Sequence, residues 1–152
     1  MIIAYIRKKI QKLYRTLHLV PTNRKRLAPE RILRWLKVND LPLHRDMAVF
    51  HIGLFETEEG YSLYLCGNQT YNPKDDGNWT IEADYEPEYM YLELENYILA
   101  SKKNKTMNRE EFLQMTKDTI TKYLNDCDET SMFYQKVVTT GFDDGDIEVI
   151  SN

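Results

Sequence analysis

Met47-Ala48-Val49-Phe50-His51-Ile52-Gly53-Leu54-Phe55-Glu56-Thr57-Glu58-Glu59-Gly60-Tyr61-Ser62-Leu63-Tyr64-Leu65-Cys66 is the stretch that decides the fold. Its two runs, 47–55 and 61–66, are rich in β-branched, aromatic and leucine side chains, which pack well on a pleated surface. The link between them, 56–60, is polar and ends in Gly60, which lets the backbone turn, so the pair predicts an antiparallel hairpin. Successive strand side chains point to opposite faces, placing Val49 and His51 on one face and Phe50, Ile52 and Leu54 on the other.

Downstream, 89–99 has apolar positions that fit neither period, and strand and helix both stay open there. Asn108 followed by Glu111 is a capping arrangement, and Phe112, Met115, Ile120, Tyr123 and Leu124 form an apolar stripe, which predicts a helix over 109–125. Segments 132–142 and 147–150 flank Asp143-Asp144-Gly145-Asp146, a short-turn signal for a terminal hairpin. Upstream, Ile3, Ile6, Ile10, Leu13, Tyr14 and Leu17 recur at helical spacing, with Arg7, Lys8, Lys12 and Arg15 largely elsewhere on the wheel; this amphipathic helix ends near Val20-Pro21. Pro29 suits the first turn of a second helix, 30–37, carrying Ile32, Leu33, Trp35 and Leu36 and broken by Asn39-Asp40-Leu41-Pro42. The expected architecture is one α+β domain over 1–152, an antiparallel sheet from the two hairpins packed against the N-terminal helix and the helix at 109–125.

A chain of 152 residues with 42% hydrophobic and 29% charged residues can bury a real core, which excludes disorder throughout. Its net charge of -4 conceals a split. Residues 1–45, a basic helical arm, hold 12 Lys/Arg against two acids, a balance of +10; residues 46–152, an acidic α+β body, hold 8 against 22, a balance of -14. Such asymmetry points to a charged partner, because the summed field steers encounter and rejects like-charged surfaces. Cys66 and Cys127 fit no CxxC pattern and read as free thiols in a reducing cytoplasm. The apolar start Met1-Ile2-Ile3-Ala4-Tyr5-Ile6 meets charges from Arg7 onward, so neither a leader nor a membrane span is expected and the chain reads as cytoplasmic.

The acidic loops fail as calcium sites. With Asp75 first and Glu86 twelfth, the third, fifth and sixth positions are Gly77, Trp79 and Thr80, where oxygen ligands and the turn glycine are needed. Asp75/Asp76 and Asp143/Asp144 lie in wet sequence, where a carboxyl has no burial to raise its pKa for acid–base work. His18, His44 and His51 have no ligand spacing, and neither a GxSxG serine nor a Gly-rich phosphate loop is present. The expectation is no catalytic residue, no metal and no cofactor; an enzyme whose site is assembled from distant residues is the third reading.

The arm invites an alternative. Arg24, Lys25 and Arg26 with Arg31 and Arg34 offer a cationic surface for phosphates, and Trp35 a ring for stacking, so nucleic-acid binding is the second reading. The acidic body would repel a polyanion, however, and basic arm against acidic face would equally serve homo-oligomer formation.

The first reading rests on the long polar stretch 68–87. Asp75, Asp76, Trp79, Asp84, Tyr85 and Glu86 combine acids, which steer toward a basic surface, with aromatics, which give rigid contact area. The alternative for Trp79, Tyr85 and Tyr89 is that they enter the core while the acids solubilise the loop. Asp143, Asp144 and Asp146 are expected beside this loop, and the partner to be a basic protein.

Gly60-Tyr61-Ser62-Leu63-Tyr64-Leu65-Cys66-Gly67, Tyr71, Asp75-Asp76, Asn78-Trp79, Asp84-Tyr85-Glu86-Pro87 and Gly141-Phe142-Asp143-Asp144-Gly145-Asp146 form a pattern spanning 46–150. In that pattern the chain resembles the small bacterial α+β immunity proteins of polymorphic toxin systems. The resemblance implies neutralisation of a cognate toxin by tight binding, through an acidic face that occupies a cationic site. The basic arm lies outside it.

Overall fold

The computed structural model describes residues 2–19, 28–44, 46–74, 82–99 and 106–151, with backbone alone at 11–19, 43 and 97. Helix α1 spans Ile2–Leu19 and α2 Ala28–Asn39, followed by a 3-10 turn, Pro42–His44. Strands β1 (Val49–Thr57) and β2 (Gly60–Asn68) form the expected hairpin, closed by Glu58-Glu59 with Thr57 opposite Gly60. Gly60 is needed for more than the turn: a Cβ there would sit 2.1 Å from the Leu94 carbonyl oxygen. The undecided segment is both things in succession, strand β3 (Tyr91–Glu95) and then one helical turn, α3 (Asn96–Leu99).

Helix α4 covers Arg109–Asn125, and its capping box is complete: Glu111 N–H donates to Asn108 Oδ1 at 2.9 Å and Asn108 N–H to Glu111 Oε1 at 3.3 Å. Strands β4 (Val137–Phe142) and β5 (Glu148–Val149) make the terminal hairpin, shorter than the sequence suggested because 132–135 turns instead.

The five strands run in the order β3-β2-β1-β4-β5, an open, mostly antiparallel sheet in an α+β fold. One pairing departs from the all-antiparallel expectation: β4 lies parallel to β1, Val49 opposite Val137 and Leu54 opposite Phe142. A parallel neighbour requires the chain to cross over before re-entering the sheet, and α4 lies in that crossover and packs on α2 and β4. Which helices cover the sheet also differs from expectation. Every strand residue of the continuous core belongs to one face: Phe50, Ile52 and Leu54 of β1, Tyr61, Leu63 and Leu65 of β2, Leu92 and Leu94 of β3, Val138 and Phe142 of β4. Against them lie Ile32, Trp35 and Leu36 of α2 and Phe112 and Ile120 of α4, whereas α1 packs on α2. Trp35 stays buried because its indole N–H donates to the Tyr89 carbonyl at 2.7 Å, and Phe112 stacks on Tyr61 with centroids 4.2 Å apart.

Candidate docking face

Strand alternation builds a second face of different chemistry. It carries Val49, His51, Gly53 and Phe55 of β1, Ser62, Tyr64, Cys66 and Asn68 of β2, Tyr91 and Glu93 of β3, and Thr139 and Gly141 of β4. None of these belongs to the continuous core, and the buried ones are mostly polar: His51, Ser62, Asn68 and Thr139. Gly53 and Gly141 lie side by side, and a Cβ on Gly53 would meet the Tyr64 ring at 2.0 Å. The missing side chain lets that ring lie across β1, and its hydroxyl donates to Asp143 Oδ1 at 2.6 Å. Phe55, Tyr64 and Tyr91 form a triangle with centroids 6.3, 6.3 and 6.4 Å apart, within the range of edge-to-face attraction. Tyr91 is 60% exposed. Exposed Glu93, Glu86 and Asp143 fringe the face, and among the described residues no ion pair engages them.

In the middle of this face His51 and Cys66 lie opposite each other on neighbouring strands, a juxtaposition that could serve a thiol–imidazole dyad. Their protonation states oppose that use. Burial pushes the Cys66 thiol up to about 12, helped by the negative charges of Glu86 and Asp143. Burial also lowers His51 to about 4, against the pull of Asp143, and its Nδ1 shares a hydrogen bond with Thr139 Oγ1 at 2.9 Å. A nucleophilic cysteine needs the thiolate, commonly beside an imidazolium; here both groups are held neutral. Burial and the bond to Asp143 likewise raise the Tyr64 hydroxyl, keeping it a donor. The His51–Cys66 pair is therefore not primed for nucleophilic attack.

The anticipated site residues divide. Asp75, Asp76 and Trp79, with Arg24, Lys25 and Arg26, lie outside the described residues. Asp84 closes the end of β2, accepting from Gln69 N–H at 2.8 Å while its own N–H donates to Asn68 Oδ1 at 2.9 Å. Tyr85 is corrected from surface anchor to core residue. It is 7% exposed, its backbone pairs with Gly67 in both directions at 3.0 Å, and its ring stacks on His44 at 3.8 Å; burial pushes its hydroxyl up to about 12. Glu86 and Asp143 both lie near enough for their charges to raise the Cys66 thiol. Asp144 is turned the other way, paired with Arg109 at the start of α4, whose guanidinium also reaches Glu56 at 3.3 Å and covers the Phe142 ring at 4.2 Å. Asp146 is exposed. Phe55, Tyr64, Tyr91 and Glu93 were missed, because the signal for them is the joint register of three strands.

Arg34 lines a second concavity, a cleft of about 780 Å³ between α2, α4 and the turn after α4. Its charged lining is Arg34, Lys37 and Lys122 against Glu30, Asp40, Asp126 and Asp128, which gives a polyanion no continuous positive track. Asp40 serves as a knot at its base: it accepts from Tyr123 and Ser131 hydroxyls, both at 2.6 Å, and from Met132 N–H at 2.7 Å. Arg31 is half-buried on the same helix. Among the described residues no group of three His, Cys, Asp or Glu side chains could hold a metal ion, and no helix is long and apolar enough to cross a membrane. Compared with family models, curated proteins and solved structures, the chain finds no match.

Proposed function

We propose that the chain is a non-catalytic protein-binding domain of the immunity type, acting in a bacterial cytoplasm to neutralise a cognate toxin. The second sheet face is its docking surface. One observation carries the reading: an aromatic triangle with Tyr91 exposed, fringed by acids without ion-pair partners among the described residues, on the face that contributes nothing to the continuous core. A desolvated aromatic holds a complex while fringing acids set the encounter rate, so a basic protein is the partner this chemistry fits.

The test is capture from native lysate followed by growth rescue. The parent should retain a basic protein that is toxic when expressed alone and harmless when expressed with this chain. Tyr91→Ala should weaken that complex by roughly 10- to 100-fold through faster dissociation. Glu86→Gln with Glu93→Gln should slow association and flatten its salt dependence. Unchanged affinity in both folded variants removes the reading.

A further inference from the structure

We infer that α1 is a membrane-surface helix, lying in the headgroup layer of an anionic bilayer with its isoleucine stripe turned into the lipid. The proposal is independent of the docking face. It begins from an imbalance between two helices of the same kind. Both α1 and α2 are basic and amphipathic, but the apolar side chains of α2 are in the core while those opening α1 are bare: Ile2 is 76% exposed, Ile3 51% and Ile6 48%. The helix is nevertheless seated. It packs on α2, Arg7 and Ile10 are half-buried, and the Arg7 charge reaches His44 and Tyr85, while Ile2, Ile3 and Ile6 stay exposed. By sequence spacing Ile10, Leu13 and Leu17 continue the stripe, and an 18-residue helix is about 27 Å long.

Charge selects the occupant. Over 2–19 the sequence holds Arg7, Lys8, Lys9, Lys12 and Arg15 and not one Asp or Glu. A second copy meeting stripe to stripe would set two wholly cationic helices side by side. A nucleic acid would take the cations and leave the isoleucines in water. An anionic bilayer answers both at once, burying the stripe below the headgroups while the lysines and arginines reach their phosphates. The helix does not qualify as a span, and the acidic remainder of the chain would be repelled from the same surface, leaving α1 as the contact.

The experiment is flotation of the full chain with vesicles of phosphatidylcholine alone and of phosphatidylcholine with 30% phosphatidylglycerol, alongside a 20-base-pair DNA duplex. The parent should float with the anionic vesicles, at least tenfold more than with neutral ones, and less as salt rises. Ile3→Asn with Ile6→Asn, and separately Lys8→Gln with Lys9→Gln, should each lower anionic-vesicle binding at least tenfold with circular dichroism unchanged, since these side chains are exposed. Absence of flotation overturns the proposal. So does flotation insensitive to the isoleucine pair, which would be electrostatic adsorption, or a concentration-dependent oligomer or DNA complex formed without vesicle binding.

Discussion

The two faces of the sheet are made of alternate residues on the same strands, and they have opposite chemistry. One presents Phe50, Ile52, Leu54, Leu63 and Leu65 to α2 and α4 and lies in the continuous core. The other presents a buried polar row, His51, Cys66 and Thr139, beside a half-open aromatic triangle. The first face holds the fold together, and the second is the one proposed for docking. If that division is right, equal truncations on the two faces should have unequal costs. The sharpest case is Phe112→Ala, which leaves a hole under Tyr61 on the covered side and should cost about 3 to 5 kcal/mol in urea unfolding. A cost under about 1 kcal/mol would mean that α4 is not the cover it is taken to be.

The second test asks whether the polar row is as dry as its burial implies. His51 has a folded pKa of about 4 against 6.5 for the free side chain, so between those values the unfolded chain binds the extra proton. Its contribution is therefore complete above about pH 6.5 and is lost as pH falls toward 4. At pH 4.5 the loss is roughly 2 to 3 kcal/mol relative to pH 7.5. Other groups of the chain also titrate over this interval, so the measurement is a difference: His51→Gln should lose that much less than the parent over the same interval. Parallel curves for the two proteins would mean that water reaches the imidazole and that the row is not sealed.

Much of the covered face was legible because its signals are local. The parity that separates His51 from Phe50 and Ile52 follows from strand alternation, and the start of α4 from an asparagine three residues before a glutamate. What escaped was non-local. The parallel pairing of β1 with β4 joins residues 88 apart, as in the His51–Thr139 contact, and no short window carries it. Segment 89–99 fitted neither period because it changes from strand to helical turn at Asn96. Tyr85 looked like a surface aromatic among acids, yet its burial is set by a bridge to Gly67 and a stack on His44, 41 positions upstream. The aromatic triangle required β1, β2 and β3 in register at once. The charge split was plain from the start, but the bareness of α1 beside the buried stripe of α2 depends on how α1 is seated.

The smallest effect tests the hinge between the faces. Tyr64 is rooted in β2, crosses β1 above Gly53 and ends on Asp143 after β4, so its hydroxyl ties three strands together on the proposed docking side, and it is not part of the continuous core. Removing only that oxygen, in Tyr64→Phe, should cost about 1 kcal/mol, because Asp143 is exposed and water can take the place of the lost donor. Asp143→Asn should cost a similar amount, and the double variant should cost less than the two singles together, since each already removes the same bond. A cycle with no coupling would show the 2.6 Å bond to be incidental. A loss as large as that of Phe112→Ala would break the comparison itself: the face assigned to recognition would then be carrying the fold as heavily as the face the helices cover.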